Sequence, residues 1–254
     1  MSSSQHSGDD GNAPSLSIVI PAYDEERHIE RTLRQTQDYL RARSLAAEVV
    51  VADDGSGDRT VQRVEAWAAR EEEPRVRLVS LARHRGKGAA LRAGVLASRG
   101  ARVLVMDADL ATPMVELEAL ERVMDATRAR IVCGSRAVPT ANITRPQSAL
   151  RVALGTAGNL WIRALAVPGM RDTQCGFKLL EGSLARELYA LAREDRFAID
   201  VEILCLAKHR LGLTVAEVGV EWAHQPGSKV RWHDYLDVLV SVPRIRLLVE
   251  LGKP

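Results

Sequence analysis

The sequence predicts an α/β protein: a mixed, mostly parallel sheet flanked by helices, in a single domain that ends in an amphipathic helical segment. Three observations carry this. Over roughly the first half, short β-branched runs alternate with stretches of helical periodicity, the pattern of βαβ units with right-handed crossovers. Each apolar run stops in a polar loop rich in Asp, Gly or basic residues. The 254 residues, 46% hydrophobic and 27% charged, suffice for one large core or two small ones.

Residues 16–20 are β-branched and apolar and stop at Pro21, which reads as a buried strand. Residues 24–43 carry Ile29, Leu33 and Leu40 between charges, an amphipathic helix with Asp24 or a neighbour near its N-cap. A second strand over 48–52 ends at Asp53-Asp54-Gly55-Ser56. Val61, Val64 and Trp67 mark a second helix over 60–70. A strand at 76–80, a helix at 88–98 and a strand at 102–106 complete the regular half. Beyond it, 131–134 reads as a strand, and 145–167 as a helix with a wide apolar face and two arginines, Arg151 and Arg163. Residues 201–209 read as a helix, 214–221 as a strand, and 234–251 as an apolar segment interrupted by Pro243. The expected organisation is a disordered Ser/Gly/Asp-rich tail over 1–14, one globular domain over 15–228 with halves 15–110 and 111–228, and a C-terminal amphipathic segment over 229–254.

Composition narrows the function. A net charge of +2 and an aromatic content of 4% argue against nucleic acid. Three widely spaced cysteines form neither a zinc motif nor a disulfide framework, which suits a reducing cytoplasm. No apolar run reaches the ~18 residues of a spanning helix, and peripheral contact with the cytoplasmic membrane face stays open.

In parallel sheets, ligands sit beyond the carboxyl ends of the strands. The loops expected there are 22–26, 53–56, 83–88 and 107–109, so residues far apart in sequence converge on one crevice. Asp107-Ala108-Asp109 presents two carboxylates that suit a divalent cation carrying a diphosphate, since Mg²⁺ takes few protein ligands and fills its shell with phosphate and water. Asp53 is placed for a base imide or a ribose hydroxyl, or for an ordinary helix-capping turn. Arg83-His84-Arg85-Gly86-Lys87-Gly88 offers cations and N–H groups to phosphate without P-loop spacing, or else a solvated charge run.

These motifs together resemble the inverting family-two glycosyltransferases of GT-A, Rossmann-like fold. The carriers are Ser17-Ile18-Val19-Ile20-Pro21-Ala22-Tyr23-Asp24-Glu25-Glu26, Val50-Val51-Ala52-Asp53-Asp54-Gly55-Ser56, Gly86-Lys87-Gly88 and Asp107-Ala108-Asp109. The resemblance implies that 15–228 is a catalytic domain with a nucleotide-sugar half over 15–110 and an acceptor half over 111–228, and that Pro21, Ala22, Tyr23, Glu25, Asp53, Asp54 and Lys87 help hold a sugar nucleotide. It implies that Asp107, Ala108 and Asp109 hold the diphosphate with Mg²⁺ or Mn²⁺, the two aspartates as metal ligands. Gly134-Ser135-Arg136, Arg171-Asp172-Thr173-Gln174-Cys175-Gly176-Phe177-Lys178, 197–202 and 221–230 are similar to the dolichyl-phosphate β-glucosyltransferase and polyprenyl-phosphate hexosyltransferase branch. That branch implies UDP-glucose as donor, GDP-mannose next, and a polyprenyl phosphate as acceptor. Its eukaryotic members typically carry an N-terminal membrane helix and many bacterial ones C-terminal helices. Neither pattern occurs in this sequence.

An acceptor phosphate is anionic and needs aligning cations: Arg136, Arg145, Arg151 and Lys178, with Ser135 and Gln174 as hydrogen-bonding partners. A hydroxyl acceptor would need a base, for which Asp172 leads and Asp200 and Glu202 follow, the last two doubling as helix-cap candidates. Asp109 serves the leaving-group side. Gly176 reads as a close backbone approach, Cys175 as packing, and His224 as part of a loop over the site or a simple turn. The apolar faces of 145–167 and 234–251 suit a membrane interface, core packing or a homodimer. Alternatives to lipid-phosphate transfer are transfer to a soluble hydroxyl, a nucleotide-sugar-binding module without turnover, and a nucleotidyltransferase. The last lacks its expected Gly-rich loop after the first strand.

Overall fold

A computed structural model describes residues 13–70, 74–145, 148–225 and 232–252. The tail expected over 1–14 falls outside these save for Ala13 and Pro14. The 228/229 boundary, the 226–230 part of the resembling segment and the side chain of Arg151 also lie outside them.

Nine strands and eight helices are present among the described residues. The first half runs β1 (Leu16–Ala22), α1 (Ile29–Ala42), β2 (Ala47–Asp53), α2 (Thr60–Ala68), β3 (Arg75–Ser80), α3 (Lys87–Ala97) and β4 (Arg102–Val105). The second runs α4 (Leu117–Thr127), β5 (Ile131–Ser135), β6 (Asn142–Arg145), α5 (Ala149–Leu165), β7 (Lys178–Glu181), α6 (Gly182–Leu191), α7 (Ile199–Cys205), β8 (Ala216–Gly219), β9 (Glu221–Ala223) and α8 (Trp232–Glu250). Seven strands form one sheet in the order β3-β2-β1-β4-β7-β5-β8, and β6 pairs with β9 in a small second sheet. Every pairing in the main sheet is parallel except those of β7, which runs antiparallel between β4 and β5. The expected mixed, mostly parallel sheet is therefore present.

Strand periodicity sorts the core onto the two sheet faces. Ile18, Ile20, Val49, Val51 and Leu104 point to the face covered by α1, α2 and α4. Val19, Val50, Val103 and Val105 point to the face covered by α3, α6, α7 and α8. The chain steps from β1 to β2 on one side and reaches β4 on the other. The end of β1 beside the end of β4 is thus a topological switch point, where such sheets open a crevice.

Several expected boundaries are corrected. β1 continues through Pro21 to Ala22. The Val19 carbonyl accepts from Met106 N and the Ala22 carbonyl from Asp54 N. Alternation therefore turns the Pro21 nitrogen to the β4 side, past the last β4 pairing at Val19↔Val105, where no ladder donor is needed. α1 begins at Ile29, after a turn in which Asp24 has a φ of 51° and its carboxylate accepts from Gly57 N. Arg145 ends β6 and does not begin a helix. The expected 201–209 helix is α7 followed by a π turn, Leu206–Arg210. The 214–221 strand is two strands in different sheets. α8 runs unbroken through Pro243, and the Leu239 carbonyl, which that proline cannot bond, accepts from the Trp161 indole of α5 at 3.3 Å. α4, β7 and α6 were not expected.

α3 lies close on the sheet because Gly94 has no side chain. A Cβ there would stand 2.7 Å from Val19 Cγ1 and 2.9 Å from Ala52 Cβ. Gly94→Ala should force α3 outward and destabilise by about 1–3 kcal/mol, read as a lower urea midpoint at unchanged slope.

Candidate active site

The loops after β1, β2, β3 and β4 meet at the carboxyl ends of the strands. Asp107 follows β4, and its Oδ1 accepts from Lys87 Nζ at 2.8 Å, at the first residue of α3. The Asp107 carboxylate presses on the backbone at Gly176, where any Cβ would collide with both its oxygens. Gly176 is thus the close approach that its position suggests. Asp109 Oδ1 accepts from Ala111 N at 2.9 Å. Burial, and after it the charges of Asp107 and Glu25, push the Asp109 carboxyl above its ordinary range, against the pull of the Ala111 amide. A buried carboxylate raised by neighbouring acids is a donor whose charge a divalent cation relieves, and Asp107 adds a second carboxylate to the set. No group of three or more His, Cys, Asp or Glu side chains that could hold a metal occurs among the described residues. The site therefore fits a cation that completes its shell with diphosphate and water, and does not fit an all-protein cage.

The nucleotide side is built by acids that bind backbone. Asp54 is buried and its carboxylate accepts from Arg85 N at 2.8 Å, Gly86 N at 2.7 Å and His84 Nδ1 at 2.8 Å, which shapes the basic loop. His84 in turn stacks on Tyr23, ring centroids 4.0 Å apart. Asp53, read as a nucleotide ligand or as a turn residue, shapes its own turn: its oxygens accept from Gly55 N, Ser56 N and Ser56 Oγ. Ala22 and Pro21 line the end of β1, Glu25 N is held by Thr60 Oγ1, and the Ala108 carbonyl by Thr32 Oγ1. Two contributors were absent from the expected set. His84 lay in the basic loop as a residue without an assigned role. Asp195 binds Arg85 and Arg92 and sets its carbonyl against Gly86, far away in sequence.

The acceptor half corrects several expectations. Lys178 was expected to meet an acceptor phosphate, but its side chain is 1% exposed and its Nζ donates to Asp200 Oδ1 and the Cys175 carbonyl. Asp200 was a candidate base. Burial alone would raise its pKa, but Lys178 and Lys87 outweigh burial and hold it below the ordinary carboxylate range. Lys87 shows the mirror image: burial works against its charge, and Asp107 and Asp200 outweigh it, so its pKa is raised. Glu202 accepts from Arg193 N at 2.9 Å and Glu194 N at 2.7 Å, forming a turn rather than facing the crevice. Its pKa is raised by burial, which those amides only partly offset.

Asp172, the leading candidate base, is gripped by Arg136: Nε to Oδ2 at 2.7 Å, Nη2 to Oδ1 at 3.0 Å and the Arg136 amide to Oδ2 at 2.9 Å. Burial would raise its pKa, and Arg136 reverses that, leaving it lowered and poor at taking a proton. The Arg136 guanidinium also lies 5.6 Å from the Trp222 ring centroid. Gln174 donates its backbone N–H to Asp172 Oδ1, and Ser135 is buried beside Arg136, its Oγ accepting from Ala137 N. Arg145 is exposed on β6, and its carbonyl accepts from His224 N. The next hydrogen bond, Ala223 N to the Ala111 carbonyl, ties that ribbon to the Asp109 loop.

Comparison with known proteins gives consistent findings. The family described as "Glycosyl transferase family 2" matches residues 17–178. A dolichyl-phosphate beta-glucosyltransferase of Dictyostelium discoideum is 34% identical over 247 residues, 93% of this chain and 75% of that protein. The enzyme of that name from Mus musculus is 36% identical over 231 residues, 87% of this chain and 71% of that protein. Among solved structures, glucosyl-3-phosphoglycerate synthase of M. tuberculosis superposes with a TM-score of 0.67 at 22% identity, over 95% of this chain and 82% of that one. The same enzyme has been captured with Mn²⁺, UDP-glucose and phosphoglyceric acid, and that complex matches with a TM-score of 0.67 at 23% identity, over 95% of this chain and 81% of that one.

Gly176→Ala should displace Asp107 from Lys87 and lower Mn²⁺ affinity in the presence of UDP by about tenfold or more, the scale of disturbing a ligand's supports. Calorimetric titration checks this, with circular dichroism confirming an intact fold.

Proposed function

The chain belongs to glycosyl transferase family 2 and is a glycosyltransferase; from that premise we propose that it transfers glucose from UDP-glucose to a dolichyl-type polyprenyl phosphate, inverting C1 to a β-linked lipid-phosphate sugar. Lipid phosphate is favoured over a soluble hydroxyl by one observation above others. The two leading carboxylate bases are held in ion pairs, Asp172 by Arg136 and Asp200 by Lys178 and Lys87, with lowered pKa values. A hydroxyl acceptor needs a base, whereas a phosphate is already anionic near neutral pH. The relatives' name, dolichyl-phosphate beta-glucosyltransferase, points the same way.

In this reading an acceptor phosphate oxygen attacks C1 from the face opposite the nucleotide. The C1–O bond breaks, and its electron pair leaves on the β-phosphate of UDP. Lys87 neutralises charge on the diphosphate, and the loop that Asp54 shapes surrounds the nucleotide with Tyr23 and His84. Arg136, half-exposed beside Ser135, orients the incoming phosphate. A divalent cation held by Asp107 and Asp109 would supply Lewis-acid stabilisation of the leaving group. Mn²⁺ is the first to test, since a protein of the same fold was captured with Mn²⁺ and UDP-glucose.

A lipid acceptor also gives a role to α5. It is 17 residues long, carries Arg151 and Arg163 and no carboxylate, and exposes Val152, Leu154, Leu160 and Trp161. No described helix is long and apolar enough to cross a membrane. A basic, apolar, exposed helix suits peripheral contact with a lipid surface.

The test is release of the nucleoside diphosphate (UDP or GDP) with Mn²⁺ or Mg²⁺, UDP-glucose, GDP-mannose or UDP-N-acetylglucosamine, and dolichyl phosphate in vesicles or a soluble alcohol. Release is expected with UDP-glucose and the lipid phosphate, giving a β-linked product. Asp109→Ala should cut turnover by about a hundredfold or more, the scale of losing one transition-state charge stabiliser. Release with the alcohol and none with lipid phosphate contradicts the acceptor; UDP-glucose binding without turnover contradicts the enzyme reading.

A further inference from the structure

Four charges alternate from the interior to the crevice: Lys178, Asp200, Lys87 and Asp107, with side-chain exposures of 1%, 4%, 15% and 42%. The inner pair touches no open surface. A hydrophobic pair of the same volume would fill that space at least as favourably, because burying two ions carries a desolvation cost that their attraction does not reliably recover. The charges therefore call for a reason outside the pair, and Lys87 supplies it. Asp200 Oδ2 lies 3.5 Å from Lys87 Nζ, while its other oxygen is held by Lys178.

We propose that Lys178 and Asp200 form a positioning unit that holds the Lys87 ammonium at the donor diphosphate, taking part in neither proton transfer nor acceptor binding. Charge balance sets the position of Lys87. With Lys178 in place, Asp200 is already paired and shares Lys87 with Asp107. Without Lys178, Asp200 carries an unmatched charge and draws Lys87 inward, off Asp107 and away from the diphosphate. Lys178 steadies the other end of the ladder as well. It pairs with Val105 across the β4–β7 register, two residues before Asp107. Its Nζ also donates to the carbonyl of Cys175, the neighbour of the Gly176 backbone on which the Asp107 carboxylate rests. One buried lysine thus ties together the end of β4 through its backbone, and the turn before β7 and the start of α7 through its ammonium.

The inference rests on the donor-site reading above, and the experiment separates the two. UDP is titrated calorimetrically into the parent protein, Lys178→Met and Asp200→Asn, in metal-free buffer and with Mn²⁺, and the acceptor-phosphate KM is measured alongside. Lys178→Met keeps the volume and should weaken UDP binding about tenfold in both buffers, while the acceptor KM stays within about twofold. Asp200→Asn acts through the other half of the unit, removing the carboxylate that anchors the Lys87 ammonium; UDP binding should again weaken, and this variant carries the test if the lysine variant does not fold. A variant that merely misfolds in part shows lower stoichiometry at an unchanged Kd. UDP affinity unchanged in the folded variants overturns the proposal, and a raised acceptor KM with unchanged UDP affinity returns Lys178 to the acceptor. A parent protein that binds no UDP overturns the donor reading and this proposal with it.

Discussion

The site depends on one cation held between two anions. Lys87 Nζ stands between Asp107 and Asp200, one carboxylate at the end of β4 and the other at the start of α7. Each of the three arrives on a different element, and the sheet order brings those elements together. α3 must lie close on β1 and β2 to deliver Lys87, and β7 must run antiparallel beside β4 to bring Lys178 and Gly176 against Asp200 and Asp107. The central ion set and the mixed sheet are two views of the same constraint.

Around it, most of the acids bind protein rather than ligand. Asp53, Asp54 and Glu202 accept backbone N–H groups and fix turns; Asp172 and Asp195 are gripped by arginine. In a low-dielectric crevice, pairing of this kind rigidifies loops that would otherwise fluctuate. It also leaves Asp109 crowded by the charges of Asp107 and Glu25, with its carboxyl raised. Preorganised charge, rather than a free base, is what this site offers to chemistry.

Much of this was legible in the sequence, and the rest was hidden for physical reasons. β1, β2 and β4 are buried on both faces and read as continuous apolar runs, so they and their terminal loops stood out. β7 did not, because its first residue is a lysine that is buried only through Asp200, 22 residues away. α4 shows Leu117, Leu120 and Met124 at helical spacing, so its signal was present and unread. The resemblance located the site residues by type, but not which way each carboxylate turns. Asp53 reads as a ligand or as a turn residue, and only the folded loop shows the turn bonds it makes. Asp172 looks like a base until Arg136, 36 residues earlier, is seen to grip it. Pro243 reads as a helix breaker because the Trp161 indole that receives its orphaned carbonyl comes from another helix.

The central claim is that the protein supplies two carboxylates and one lysine, and that the nucleoside diphosphate completes the cation's shell. Reciprocal calorimetry of UDP and Mn²⁺ tests it most directly, since coupling between two ligands must be equal in both directions. The account predicts weak Mn²⁺ binding alone, and an increase of about tenfold or more in the affinity of each ligand when the other is present. Tight Mn²⁺ binding without UDP, or UDP affinity indifferent to Mn²⁺, would contradict it.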